Sequence, residues 1–201
     1  MFACDKNANI IITYENTNLW IGNYKAALDY DFLKNNNISV IVNCTKEIPF
    51  IYDIVDKPIK LETVRIPIFD TTSDIDNKIM KDKLDYIIPF INTKFFKEHK
   101  NILVHCAAGK SRSASIVAAF MFNFIKHIDK NNLQNILKTK DSYNFATDDQ
   151  IMVNVIKYII SKRSCTFFYG SKVNFIKALR SYSKTQFSFP LTNNYASLLF
   201  N

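Results

Sequence analysis

"NILVHCAAGKSRSASIVAAFMFNFI", residues 101–125, changes texture twice. It opens on a short, nearly continuous aliphatic run, the pattern of a strand buried on both faces of a parallel sheet. From 113 to 127 it is small or apolar on every side, which predicts a buried helix. Between the two, "HCAAGKSR" uses one of only three glycines and one of only four cysteines in the chain, beside an arginine. A cysteine directly after a buried strand and just before a helix lies where backbone N–H groups and the positive end of the helix dipole converge, and such a place stabilises anions. With Arg112 nearby, a Cys106 thiolate is expected to form well below the free-thiol value of about 8.5. Ala107, Ala108, Gly109, Lys110 and Ser111 include three small residues and a glycine, so the loop can curl until its N–H groups share a centre. Arg112 closes that ring with a planar fork suited to two oxygens of a phosphate. A cysteine nucleophile in a phosphate cradle points to covalent phosphoryl transfer. The bland reading, a small hydrophobe at a strand end, accounts for Cys106 but not for the constellation around it. "GKS" at 109–111 also suggests a nucleotide P-loop, which fails because that motif needs a glycine where Val104 stands.

"ISVIVNC" (38–44) repeats the buried-strand pattern and "ETVRIPI" (62–68) supplies another strand. "NIIITYEN" and "NLWIG" read as two short strands joined by a polar turn. Asn23 should cap one helix over "YKAALDYDFLK". Residues 79–95 have helical period, with Pro89 expected to kink or break the helix. Residues 131–140 read as a short amphipathic helix, and 148–161 as another opened by a Thr147/Gln150 capping box. Strands alternating with helices predict an α/β fold with a central, mainly parallel twisted sheet of about five strands covered by helices on both faces. The site should then lie at the carboxyl ends of the strands.

Composition bounds the rest. The length of 201 residues and hydrophobic content of 48% suit one folded catalytic domain, read as 1–164, with residues 165–201 as a C-terminal extension. That extension has four basic and no acidic residues and many aromatics. Val173, Phe175, Ile176, Leu179 and Tyr182 fit a short amphipathic helix, and the readings are packing on the core or self-association, a docking arm, or disorder. The net charge of +8 favours an anionic partner: phosphoprotein, nucleic acid or a lipid surface. Cys4, Cys44, Cys106 and Cys165 form neither a paired metal-ligand pattern nor a dense disulfide framework, which fits a reducing, cytoplasmic setting. No secretory signal and no apolar run of spanning length is evident.

"HCAAGKSRS" resembles the HCx5R[ST] signature of the cysteine-dependent protein tyrosine phosphatases, and its glycine and "SRS" resemble the dual-specificity branch. "NLWIGNYKAALDYDFLKNNNISVIVNCTKEIP" and "IPIFDTTSDI" are similar to that branch's entry strand, first helix and acid loop, and poxvirus-like members look most alike. The resemblance, over about residues 9–162, implies a dual-specificity phosphatase-like fold, Cys106 as nucleophile, Arg112 with the 107–112 amides as phosphate site, and Asp70 as general acid, with Asp74 the fallback. It implies Ser113 as the hydroxyl that stabilises the departing thiolate, and His105 and Asn43 as residues holding the loop by hydrogen bonds. No metal or organic cofactor is implied. The chain departs from the family over 140–150, where "KDSYNFATDDQ" replaces an arginine-proline pair and an asparagine turn.

The short "CTKEIPFIYD" lacks a phosphotyrosine-recognition loop, so a shallow pocket taking phosphoserine, phosphothreonine and phosphotyrosine in proteins is expected. RNA 5′-phosphates and phosphoinositides are the alternatives, and a non-catalytic phospho-binding module is a further one. Phosphoinositide-directed relatives carry two basic loop residues, of which only Lys110 is present, Ala107 occupying the other place. RNA-directed ones carry histidine and asparagine where this chain has Ala108 and Ser111. Homodimerisation and a protective Cys44–Cys106 disulfide are left open, against Cys44 as an inert buried thiol. A viral member would work in host cytoplasm or virion.

Overall fold

Glu15 and Asn16, both left-handed at φ 43° and 66°, turn β1 (Ala8–Tyr14) back onto β2 (Thr17–Gly22) as an antiparallel hairpin, the backbone sense that a two-residue hairpin turn requires. The computed structural model describes residues 4–54, 60–71, 73–127, 147–170 and 173–185. The helix expected over 131–140, the departure at 140–146 and the end of the chain from 186 lie outside them.

β2 pairs parallel with β5 (Asn101–His105), β5 with β3 (Ile38–Asn43), and β3 with β4 (Glu62–Arg65), giving a five-stranded sheet in the order β1-β2-β5-β3-β4. β4 is shorter than the expected 62–68: Ile66 still donates to Asn43 O at 2.8 Å, but Pro67 has no N–H to continue the ladder. Alternation along the strands serves two cores. Leu103 and Ile41 face α1 (Tyr24–Ala27) and α2 (Tyr30–Asn35), together with Ala26, Ala27 and Leu33. Ile102, Val104, Val40 and Val42 face the larger core of α3 (Asp74–Asn92), α4 (Arg112–His127) and α5 (Asp148–Lys162). Both faces are covered, as the aliphatic runs predict.

Two helices depart from expectation. Residues 24–34 form two helices because Asp29 accepts from Phe32 N at 2.9 Å and starts a new one, after Asn23 has capped the first through Ala26 N at 3.1 Å. α3 runs through Pro89 unbroken and widens into a π turn over Thr93–Lys97. Pro89 sits on the exposed face while Leu84, Ile87, Ile88 and Ile91 anchor the buried one, so the missing N–H costs one bond at the solvent side. The Thr147/Gln150 capping box forms as expected, with reciprocal bonds of 3.2 Å.

After α5 come a minimal hairpin, β6 (Tyr169–Gly170) with β7 (Val173–Asn174), and α6 (Ile176–Ser183). Phe168, Phe175, Ile176, Ala178 and Leu179 are buried in the larger core. Asn77 of α3 accepts from Ala178 N at 3.1 Å, and Lys177 pairs with Asp74 at 2.7 Å. The described part of the extension therefore packs on the same core as the sheet. Cys4 and Cys165 are joined by a disulfide across 161 residues, with Cα atoms 5.2 Å apart. Cys44 and Cys106 are free and buried.

Candidate active site

β5 lies between β2 and β3 with Gly22, His105 and Asn43 in register at the carboxyl end. The chain leaves that end at Cys106, makes the 106–111 loop and enters α4 at Arg112. Cys106 N donates to Gly22 O at 3.4 Å. Gly109 is left-handed at φ +65°, and a Cβ there would lie 2.5 Å from Gly22 O, so only glycine lets the loop sit this close to the β2–α1 backbone.

The loop is held from outside by its carbonyls. Ala107 O accepts from Tyr24 N at 3.2 Å, Lys110 O from Phe167 N at 2.9 Å and Ser111 O from Ser115 N at 2.9 Å. Gly109 O accepts from Arg163 Nε at 2.8 Å. The C=O and N–H of one trans peptide point in opposite directions, so carbonyls drawn outward turn the following amides inward. On the inner side Gly109 N–H donates to Cys106 Sγ at 3.2 Å, and Ser113 Oγ lies 3.4 Å from the same sulfur. Both suit a sulfur anion.

Arg112 is buried, and its Nη1 donates to Ile68 O at 3.1 Å. Its Nε lies 3.5 Å from Asp70 Oδ2 without forming an aligned hydrogen bond, and Nη1 lies 3.9 Å from Glu47 Oε1. One side chain thus ties the loop to the Asp70 segment. Burial pushes the Asp70 carboxyl up and Glu47 adds to this, while Arg112 pulls it down. Such a carboxyl holds a proton to higher pH than a free aspartate. Asp74, the fallback acid, is exposed and paired with Lys177 instead.

His105 and Asn43 act differently from expectation. The buried His105 ring faces the Cys106 backbone, but neither ring nitrogen reaches a hydrogen bond of normal geometry. Burial lowers its pKa to about 4 and keeps it neutral. Its backbone carbonyl, not its ring, does the tying, accepting from Cys44 N at 2.8 Å. Asn43 directs its side chain to the next turn, accepting from Thr45 N and Oγ1 at 2.9 and 2.7 Å and donating to Ile48 O at 2.9 Å. Arg65 braces that turn through Thr45 O and Ile48 O at 3.0 and 2.7 Å. Sequence reasoning missed this turn, which carries Glu47, and it missed Arg163. Lys110 is half-buried, and Phe69 is exposed beside Asp70 with Lys46 Nζ 5.6 Å from its ring centre. Cys44 Sγ is buried and points toward Val42 O at 3.9 Å.

Comparison with known proteins agrees with this geometry. Residues 19–159 match the dual specificity phosphatase catalytic domain. Mouse dual specificity protein phosphatase 14 is 31% identical over 108 residues, covering 54% of this chain and 50% of that protein. A vaccinia virus dual specificity protein phosphatase is 26% identical over 113 residues, covering 56% and 60%. The chain spans about half the length of the curated relatives it matches. Human DUSP28 superposes with a TM-score of 0.62 at 16% identity, covering 92% of this chain and 97% of that one, a likeness of fold. Among the described residues no helix is long and apolar enough to cross a membrane.

Proposed function

We propose that this chain, which belongs to the dual specificity phosphatase catalytic-domain family, hydrolyses phosphotyrosine and phosphoserine or phosphothreonine in proteins through a cysteinyl-phosphate on Cys106. The observation that carries this is the convergence of Gly109 N–H and Ser113 Oγ on Cys106 Sγ, with Arg112 joined to the Asp70 segment. A binding module needs the cradle but has no use for a sulfur held by two donors.

In the first step the phosphate monoester sits in the 107–112 loop, its oxygens met by the inward amides and Arg112. Cys106 Sγ attacks phosphorus in line, and the ester P–O bond breaks. Asp70 gives its proton to the leaving oxygen. Arg112 and the amides take up the charge on the equatorial oxygens of the transition state. In the second step Asp70, now a carboxylate, removes a proton from water. The water oxygen attacks phosphorus, the S–P bond breaks, and Ser113 Oγ–H stabilises the thiolate as it leaves. Inorganic phosphate departs with all charges and protons balanced.

Dual specificity is supported by the lack of a long recognition segment after β3, and the exposed Phe69 offers a ring to an aromatic leaving group. Phosphorylated proteins in the cytoplasm, host cytoplasm for a viral enzyme, are the corresponding partners and setting. The Cys4–Cys165 disulfide departs from the reducing setting expected from the cysteine pattern, because only the fold brings those two residues together. The test is phosphate release from phosphotyrosine and phosphothreonine peptides, 5′-triphosphorylated RNA and a phosphoinositide, with Cys106→Ser as control. Peptide turnover by the wild type alone is expected. Turnover confined to RNA or lipid would move the substrate class, and binding without turnover would leave a recognition module.

A further inference from the structure

Arg163 ends α5 and is 2% exposed, the largest fully buried side chain of the described residues. An arginine is almost never so buried without a carboxylate, yet no described carboxylate lies within ion-pair distance of it. Its contacts are a backbone carbonyl of the phosphate loop and the start of the chain. Nε donates to Gly109 O at 2.8 Å, and Nη1 to Lys6 O at 3.0 Å and to Asn9 Oδ1. Nη2 is buried without a partner among the described residues. Around it, Phe167 N holds the neighbouring Lys110 O, and the Cys4–Cys165 disulfide clips the Lys6–Asn9 segment to the segment just after Arg163. A sulfur of that disulfide lies 4.0 Å from Ala108 O.

We propose that Arg163 is a positioning residue for the reaction: it draws the Gly109 carbonyl outward, so that the Lys110 amide turns into the cradle, and places a fixed buried cation behind the loop whose counter-charge is the anion in the loop. The burial of a guanidinium with no carboxylate is then explained. Its natural partner is the Cys106 thiolate or the bound phosphoryl group on the other side of the loop. Consistent with this, burial depresses Arg163 to about 10, while the negative charge of Cys106 is what raises it. Asp70 and Glu47 lie within ion-pair distance of Arg112 rather than of Arg163, and Lys110 in the loop and Lys46 beside Phe69 are the further charges near the site. Arg163 touches no reacting atom and acts through the Gly109–Lys110 peptide and its field.

This proposal rests on the phosphatase reading, and the experiment separates the two. Arg163→Met and Arg163→Lys are compared with the wild type for orthovanadate affinity and for the rate of Cys106 alkylation by iodoacetamide at fixed neutral pH, each on protein with a cooperative melt. Loss of a charge-assisted hydrogen bond predicts vanadate binding weakened by about ten- to a hundredfold in Arg163→Met. Alkylation should slow several-fold because the sulfur loses the fixed cation behind the loop. A residue that only packs would act the other way on the thiol, because a looser loop exposes Cys106 and speeds alkylation. Arg163→Lys keeps the charge without the fork, so its alkylation stays near wild type while vanadate still weakens. Wild-type vanadate affinity in Arg163→Met, or faster alkylation, overturns the proposal. If Arg163→Met does not fold, unchanged vanadate affinity in Arg163→Lys overturns it instead. A wild type that binds no vanadate ends the phosphatase reading itself, and this proposal with it.

Discussion

Replacing Gly109 by alanine puts a methyl group where the loop crosses the start of α1. The added Cβ would lie 2.5 Å from Gly22 O, 2.6 Å from Gly22 C and 2.8 Å from Asn23 N. All three are backbone atoms at the end of β2 and cannot swing aside. The left-handed backbone costs an alanine about 1–2 kcal/mol, and forcing a methyl into a filled space costs about 1–3 kcal/mol more. Together these predict a stability loss of about 2–5 kcal/mol. The loop relieves the clash by retreating from Gly22, which draws Gly109 N–H away from Cys106 Sγ, now 3.2 Å away. Losing that donor to a sulfur anion is worth about 1.5–3 kcal/mol, so kcat/KM should fall by roughly ten- to a hundredfold even where the variant is folded. Urea melts give the first number, and phosphate release from an aryl phosphate gives the second. Gly22→Ala is the comparison: its nearest clash, 2.8 Å, is with Leu103 Cδ1, a side-chain end that can move, so its effect should be milder. A Gly109→Ala protein with wild-type melt and wild-type kcat/KM would refute the claim that this contact sets the loop.

Asp70→Asn should cost about 10²–10⁴ in kcat/KM toward poor leaving groups and much less toward ones that leave without a proton. Because burial raises the Asp70 carboxyl, the wild-type rate should fall as pH rises and Asp70 loses its proton, and a pH profile of Asp70→Asn should lack that limb. For His105 the folded pKa of about 4 lies below the ordinary 6.5, so the unfolded chain takes up the proton first. Stability is thus fully present above pH 6.5 and declines as pH falls toward 4, by up to about 3 kcal/mol. Melts of His105→Gln across that window should show a shallower decline; an identical slope would remove His105 as the cause. Truncation after residue 164 removes Phe168, Phe175, Ile176 and Leu179 from the core. At about 1.5–3 kcal/mol each, an upper bound of roughly 6–12 kcal/mol rivals the whole stability of a domain. Circular dichroism should show an unfolded or molten product, and a native-like cooperative melt would contradict this packing.

What could be read from the chain alone was what spacing encodes. The aliphatic runs at 38–44 and 101–106 gave the parallel centre of the sheet, because burial on both faces leaves no polar alternation. Cys106, Gly109 and Arg112 could be read together because one tight loop holds all three within seven consecutive residues. The break at Asp29 was hidden because an N-cap residue also fits the polar face of a continuous helix. Pro89 misled in the other direction, since its exposed placement is a fact of packing. Arg163 and Asn9 are 154 residues apart, and Cys4 and Cys165 are 161 apart. No local pattern announces such pairs. Glu47 reaches Arg112 only because Asn43 and Arg65 fold the 45–48 turn over the site, and that also depends on the pairing of β3 with β4, which no local pattern specifies.

In the proposed reaction Cys106 carries the phosphoryl group during turnover. Rapid acid quench of the enzyme turning over an aryl phosphate, followed by peptide mass analysis, tests it most directly. One phosphoryl group is expected on the peptide holding Cys106 in the wild type and none on that peptide in Cys106→Ser. Steady turnover with the Cys106 peptide unmodified, or a turnover rate that survives Cys106→Ser, would contradict it.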